Sequence, residues 1–135
     1  METKKRFILL DEVLAFHDNL IQRYGGSSGI RDMGLLLAAI AQPQMSFGGR
    51  YLHEDVYAMA AAYLYHLIKN HAFVDGNKRT AIVTMIVFLK YHDIPISMGQ
   101  DELYDLAIGV ATSQISKEEL AKSLKKSDKV KFFKE

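Results

Sequence analysis

The sequence has no cysteine, no tryptophan and only two prolines in 135 residues. Without cysteine there are no disulfides, no thiolate nucleophile and no cysteine-ligated zinc. With so little proline, most of the chain is free to be helical. Neither sign of charge dominates: 17 Lys and Arg face 16 Asp and Glu, for a formal net charge of +1. No overall field attracts a polyanion, so any basic site is local and direct nucleic-acid binding is not expected. Long apolar runs are also missing. The longest, Ala81 to Leu89 interrupted by Thr84, is far short of the roughly 20 residues that cross a bilayer. The basic start Lys4-Lys5-Arg6 is followed by only four apolar residues, too few for the core of a secretory signal. These absences predict a cytoplasmic protein with no membrane association. Walker A, Gly-x-Gly-x-x-Gly and His-Glu-x-x-His patterns are absent too.

What is present is helical periodicity, with 49% hydrophobic residues. We expect one all-α domain over residues 1–135, built from about six helices, with loose ends at 1–7 and 126–135. Asp11 is the expected cap of a helix reaching Tyr24, where Gly25-Gly26 stops it. Asp32 caps a second helix that ends near Ala41, before Pro43. Residues 42–53, with Pro43, Gly48 and Gly49, read as a loop or an irregular hairpin. Two helices then follow, from Glu54-Asp55 to Asn70 and from Asn77 to His92. Both are apolar nearly all round, so both are expected to be central and buried. Two more are expected at about 100–112 and 116–125.

Between the two apolar helices lie His71, Asp75, Asn77, Lys78 and Arg79. Charge this near a core needs partners. Gly76 permits a positive φ, so the second helix starts at or just after Asn77. Its first N–H groups and its dipole favour an anion. Yet the first turn carries two cations, Lys78 and Arg79, where the dipole prefers acids. A bound phosphate resolves that conflict, because free amides, an ammonium and a guanidinium together cradle it. Asp75 adds a hard oxygen ligand suited to magnesium, and His71 adds a proton acceptor. The alternative is a turn plus a cap with a solvated basic face. His17 and His66, on helices with apolar neighbours, read as interior histidines. His92, near a helix end, suits the dipole there.

The run His71-Ala72-Phe73-Val74-Asp75-Gly76-Asn77-Lys78-Arg79 closely resembles the motif of the Fic/Doc family. The Fic branch reads His-Pro-Phe-x-Asp/Glu-Gly-Asn-Gly-Arg-x-x-Arg. The Doc (death-on-curing) toxin branch carries Lys in place of the last Gly and Thr-Ala after the Arg, as Lys78 and Thr80-Ala81 do here. Leu14 to Asp18, Arg23 to Gly26 and Gly29 to Gly34 are similar to the first helices of Doc-like proteins, so the likeness covers about residues 8–125.

The resemblance implies a compact Fic/Doc-type helical fold in which His71 deprotonates a hydroxyl of a target protein. It implies that Asp75 holds magnesium and that Gly76, Asn77, Lys78 and Arg79 grip the phosphates of ATP. Fic enzymes transfer a nucleoside monophosphate, whereas Doc binds the nucleotide in the flipped orientation and transfers the terminal phosphate to elongation factor Tu. Ile82 stands at the second Fic arginine and Lys78 at the Fic glycine, and both favour phosphate transfer. Gly76 is Fic-like, and AMP transfer stays open, as does a catalytically silent binding module. The self-inhibitory Ser/Thr-x-x-x-Glu helix of Fic enzymes has no match: Lys117 follows Ser113 at that spacing, and Leu120 follows Ser116. Restraint then falls to an antitoxin acting in trans. Residues 42–53 correspond to the flap that docks the target.

Overall fold

The computed structural model describes residues 4–134, which form six helices and one small hairpin. Helix α1 spans Leu10–Tyr24 and α2 spans Met33–Ala41. A 3-10 turn at Gln42–Gln44 leads to the hairpin β1 (Ser46–Phe47) and β2 (Arg50–Tyr51). Helices α3 (Val56–Asn70), α4 (Asn77–Tyr91), α5 (Gln100–Ala111) and α6 (Lys117–Lys134) follow. The all-α expectation holds.

Capping explains most helix starts. Asp32 accepts the Leu35 N–H at 2.9 Å and Asp55 accepts the Ala58 N–H at 2.9 Å. At α6, Ser116 and Glu119 cap each other reciprocally, side chain to main chain, at 3.0 and 2.9 Å. Asp11 does not cap α1. The cap falls two residues earlier, at Leu9, and Glu12 accepts the Leu9 N–H at 2.9 Å. The reason lies in Ile8, which is buried with its N–H donated to the Tyr63 hydroxyl at 2.8 Å and so sets the entry of the chain. Between the two short strands, Gly48 and Gly49 both take positive φ, 60° and 79°, as a tight hairpin turn demands. The stretch 42–53 is therefore an ordered hairpin and not a plain loop.

Helix α3 is central: it packs on α2, α4, α5 and α6, and every residue from Met59 to Leu64 is buried. Helix α4 is not buried all round. Ala81, Met85, Phe88 and Leu89 face the core, while Ile82, Val83 and Ile86 stay half-exposed. That half-exposed side forms one wall of a cleft described below. Helix α6 continues past Lys125 to Lys134. At the other end Phe7 stacks on Phe88 and the Arg6 guanidinium lies 3.6 Å from the centre of the Tyr91 ring. Residues 1–3 and 135, part of the expected loose ends, lie outside the described residues.

One polar cluster ties α3, α6 and the hairpin exit together. The Lys117 ammonium lies 3.1 Å from Nε2 of His53 and 3.1 Å from Nε2 of His66. Both imidazoles therefore present a lone pair to the ammonium and are neutral. Burial first, and then the Lys117 charge, push His66 from its ordinary 6.5 down to about 4, and lower His53 in the same way. Unfolding releases both histidines to bind protons near pH 6.5. Stability is thus full above that pH and falls as the pH drops toward 4. Thermal unfolding between pH 7.5 and 4.5 should show the midpoint falling through this window, and His66→Gln should flatten the decline.

Candidate active site

Helix α3 ends at His71, which takes the left-handed conformation at φ 48°, ψ 50°. This cap turns the chain away from the helix and leaves His71 exposed at the corner. The chain then dips inward. Ala72 and Phe73 are buried, each 1% exposed, and the Phe73 ring anchors the loop. It returns to the surface at Val74 and Asp75, and Gly76 at φ 78° starts α4. Three functional groups are thus set by one buried phenylalanine between two helix ends.

Asn77 closes the loop from inside. It is 8% exposed, and its amide pairs with the Phe73 main chain twice: Oδ1 accepts the Phe73 N–H at 3.0 Å and Nδ2 donates to the Phe73 carbonyl at 2.9 Å. Its side chain is thus committed to bracing the loop, while its main-chain N–H lies in the first turn of α4. No side chain caps α4, whose first main-chain closure runs from the Thr80 N–H to the Gly76 carbonyl at 3.0 Å. The amides of Asn77, Lys78 and Arg79 precede that closure and form an anion-attracting helix end.

The Asp75 carboxylate is exposed and held from two sides. One oxygen accepts the Ser27 N–H at 3.2 Å and the other accepts the Gly76 N–H at 2.9 Å. These two N–H groups, the Ser27 one first, hold its pKa below the ordinary carboxylate value, with His17 and Arg79 adding to the effect. Asp75 is therefore an anion throughout the neutral range. Among the described residues no group of three or more His, Asp or Glu side chains could hold a metal ion by itself. A single ionised carboxylate beside an uncapped helix N-terminus fits a divalent ion that arrives on a nucleotide and takes its remaining ligands from phosphate and water.

Beneath the loop lies His17 of α1. Its ring stacks on Phe73 at 3.8 Å and 8°, and its Nε2 donates to the Asp75 carbonyl at 2.8 Å. The interior reading of His17 holds, and its place is the floor of the site. Lys78 is half-buried on the first turn. Arg79 is exposed and turns toward α1, with its guanidinium 4.4 Å from the centre of the Tyr24 ring. Both Arg79 and Tyr24 line a cleft of about 770 Å³, with Ile82, Val83 and Ile86 of α4 on one side and Tyr104 of α5 on the other. His71, Asp75, Lys78 and Arg79 share one loop and helix start, as the sequence places them.

The sequence did not reveal a second segment of the site. The loop from Gly25 to Asp32 runs antiparallel along the motif. The Val74 N–H bonds the Gly29 carbonyl at 3.1 Å, and Ile30 pairs with Phe73 in an isolated β-bridge. The Arg31 and Asp32 N–H groups both bond the Ala72 carbonyl, at 2.7 and 3.0 Å. At its start, Gly26 takes φ 113°, which favours glycine, and a Cβ there would lie 2.5 Å from the Asp75 carboxylate and displace it. The clustering of glycines at 25, 26 and 29 was the available signal.

Residues 7–89 match the family model described as the Fic/DOC family, a span that includes the whole motif and the Gly25–Asp32 loop. The chain belongs to the Fic/Doc family. It is 36% identical over 124 residues to "Protein kinase doc" of Escherichia phage P1, covering 90% of this chain and 94% of that protein. It is 38% identical over 103 residues to "Toxin Doc" of Mycolicibacterium smegmatis, covering 75% of this chain and 79% of that protein. Both relatives carry the Doc name, so the branch read from Lys78 and Thr80-Ala81 agrees with them. As a Fic/Doc protein the chain has its motif at the α3–α4 junction, between the two helices that make the most extensive contact in the fold. No helix among the described residues is long and apolar enough to cross a membrane.

Proposed function

We propose that this Fic/Doc chain is a Doc-type toxin that transfers the terminal phosphate of ATP to a hydroxyl of a translation protein, with elongation factor Tu as the target, and so arrests growth in the cytoplasm. The observation that carries this reading is the exposed His71 on the same short loop as an ionised carboxylate and an uncapped helix N-terminus flanked by Lys78 and Arg79. His71 takes the proton of the target hydroxyl. The hydroxyl oxygen forms a bond to the terminal phosphorus as the bridging P–O bond breaks, and ADP leaves. The α4 amides, Lys78 and Arg79 bind the phosphates, and Gly76, at φ 78°, makes the left-handed turn that opens that helix end. Asp75 would hold magnesium, which when bound neutralises charge on the phosphates.

Phosphate transfer is favoured over AMP transfer by two positions. Ile82, in the cleft wall, offers no charge where the Fic branch has an arginine, and Lys78 brings bulk and charge where that branch has glycine. The name of the phage P1 relative, "Protein kinase doc", supports this choice. Control falls to an antitoxin supplied by a second chain.

The purified protein is incubated with magnesium, elongation factor Tu and ATP labelled at either the α- or the γ-phosphate. We expect label on the target from γ-labelled ATP alone. Label from the α-position alone establishes AMP transfer instead.

A further inference from the structure

Arg31 is the last residue before the Asp32 cap of α2, and its side chain reaches back across the site. Nε donates to the His71 carbonyl at 2.7 Å, and a terminal nitrogen donates to the Asn70 carbonyl at 3.1 Å. These are two consecutive carbonyls at the C-terminus of α3, where a helix leaves acceptors unsatisfied and where its dipole favours a cation. A planar guanidinium matches two adjacent acceptors as a fork. One end of that fork is the main-chain carbonyl of His71, the residue proposed as proton acceptor. The His71 main chain otherwise keeps only its own N–H bond to the Ile68 carbonyl, at 3.2 Å. The Asn70 side chain extends the link by donating to the Leu35 carbonyl of α2 at 2.8 Å.

We propose that Arg31 is a positioning residue for His71: by holding the carbonyls of the two peptide groups that flank the His71 Cα it sets the direction in which the imidazole leaves the left-handed cap. The loop does not need this side chain to stay in place. The main-chain bonds from Arg31 and Asp32 to Ala72, and from Val74 to Gly29, persist whatever residue stands at 31. Arg31 is exposed, so its loss opens no cavity. Its contribution is orientation, and a displacement of about 1 Å at a reacting group costs on the order of 10²-fold in rate. This inference rests on the role proposed for His71.

The test compares Arg31→Ala and Arg31→Lys with the unaltered protein. Arg31→Ala should lower kcat by about 10- to 100-fold. The KM for ATP should stay within about twofold, because the phosphate-binding groups are untouched, and the thermal midpoint should move little. Arg31→Lys should recover part of kcat, since one ammonium cannot span both carbonyls as a fork. The His71 ring resonance of the ligand-free protein gives a readout independent of transfer, and it should shift or broaden in Arg31→Ala. Unchanged kcat in Arg31→Ala overturns the proposal. So does a fall in kcat that only tracks a fall in thermal midpoint, with Lys no better than Ala. Should the unaltered protein move no phosphate, the proposed function fails. The His71 resonance then decides alone, and an unmoved signal overturns the positioning role.

Discussion

His71→Asn removes transfer while leaving the protein folded. A positioned general base contributes on the order of 10²- to 10⁴-fold, and no neighbouring group on the loop can replace it at neutral pH. Asp75 is held ionised and engaged by two N–H groups, and Lys78 and Arg79 are cations. Asparagine is the informative replacement because it tolerates the left-handed backbone that His71 adopts at φ 48°, whereas alanine adds strain there. His71 is exposed, so no packing is lost and the thermal midpoint should stay within a few degrees. The measurement is the rate of γ-phosphate transfer beside a melting curve, with growth on expression as the cellular readout. Transfer within tenfold of the unaltered rate would falsify the assignment of His71. Growth arrest undiminished in the variant would instead support a silent module that titrates a partner.

Asn77→Ala gives the largest loss of stability expected from any one site residue. The substitution deletes two hydrogen bonds and strands the buried N–H and carbonyl of Phe73. Each stranded group costs about 1–3 kcal/mol, for a total of roughly 2–5 kcal/mol. In a domain of this size that lowers the thermal midpoint by roughly 10 °C. Activity should fall as well, because the Phe73 anchor sets the spacing between His71 and Asp75. The comparison variant is Asn77→Asp, which keeps one acceptor for the Phe73 N–H but turns the other oxygen toward the Phe73 carbonyl. It should be no more stable than the alanine variant near neutral pH. If both melt with the unaltered protein, the loop does not depend on this brace, and Asn77 is free to act as a phosphate ligand through its side chain.

Several elements were readable because they depend on local chemistry. Asp32 and Asp55 cap their helices because a short acidic side chain reaches an N–H three residues on, whatever the rest of the fold does. Gly76 takes a positive φ because the chain must turn into α4 there. Asp11 misled because a cap depends on where the chain enters. Tyr63, distant in sequence, fixes Ile8 and moves the cap of α1 by two residues, from Asp11 to Leu9. Helix α4 misled in another way. Its apolar residues cover the whole circumference, and periodicity does not tell a buried side from one that walls a cleft, as Ile82, Val83 and Ile86 do.

The helical class, the helix ends that carry their own caps, and the chemistry of the motif follow from residue types and their spacing. A histidine, a carboxylate and two cations lie at a glycine-started helix, and covalent proximity along nine residues keeps them together in any fold. Only the tertiary structure decided how each group is held. It turned the Asn77 side chain inward to brace Phe73, put His17 beneath the loop, and laid the Gly25 to Asp32 loop alongside the motif. The His17 and Gly25–Asp32 contacts join residues some 40 to 60 positions apart. Their partners are mostly main-chain N–H and carbonyl groups, which every residue carries alike, so no pattern of side-chain types records which ones meet.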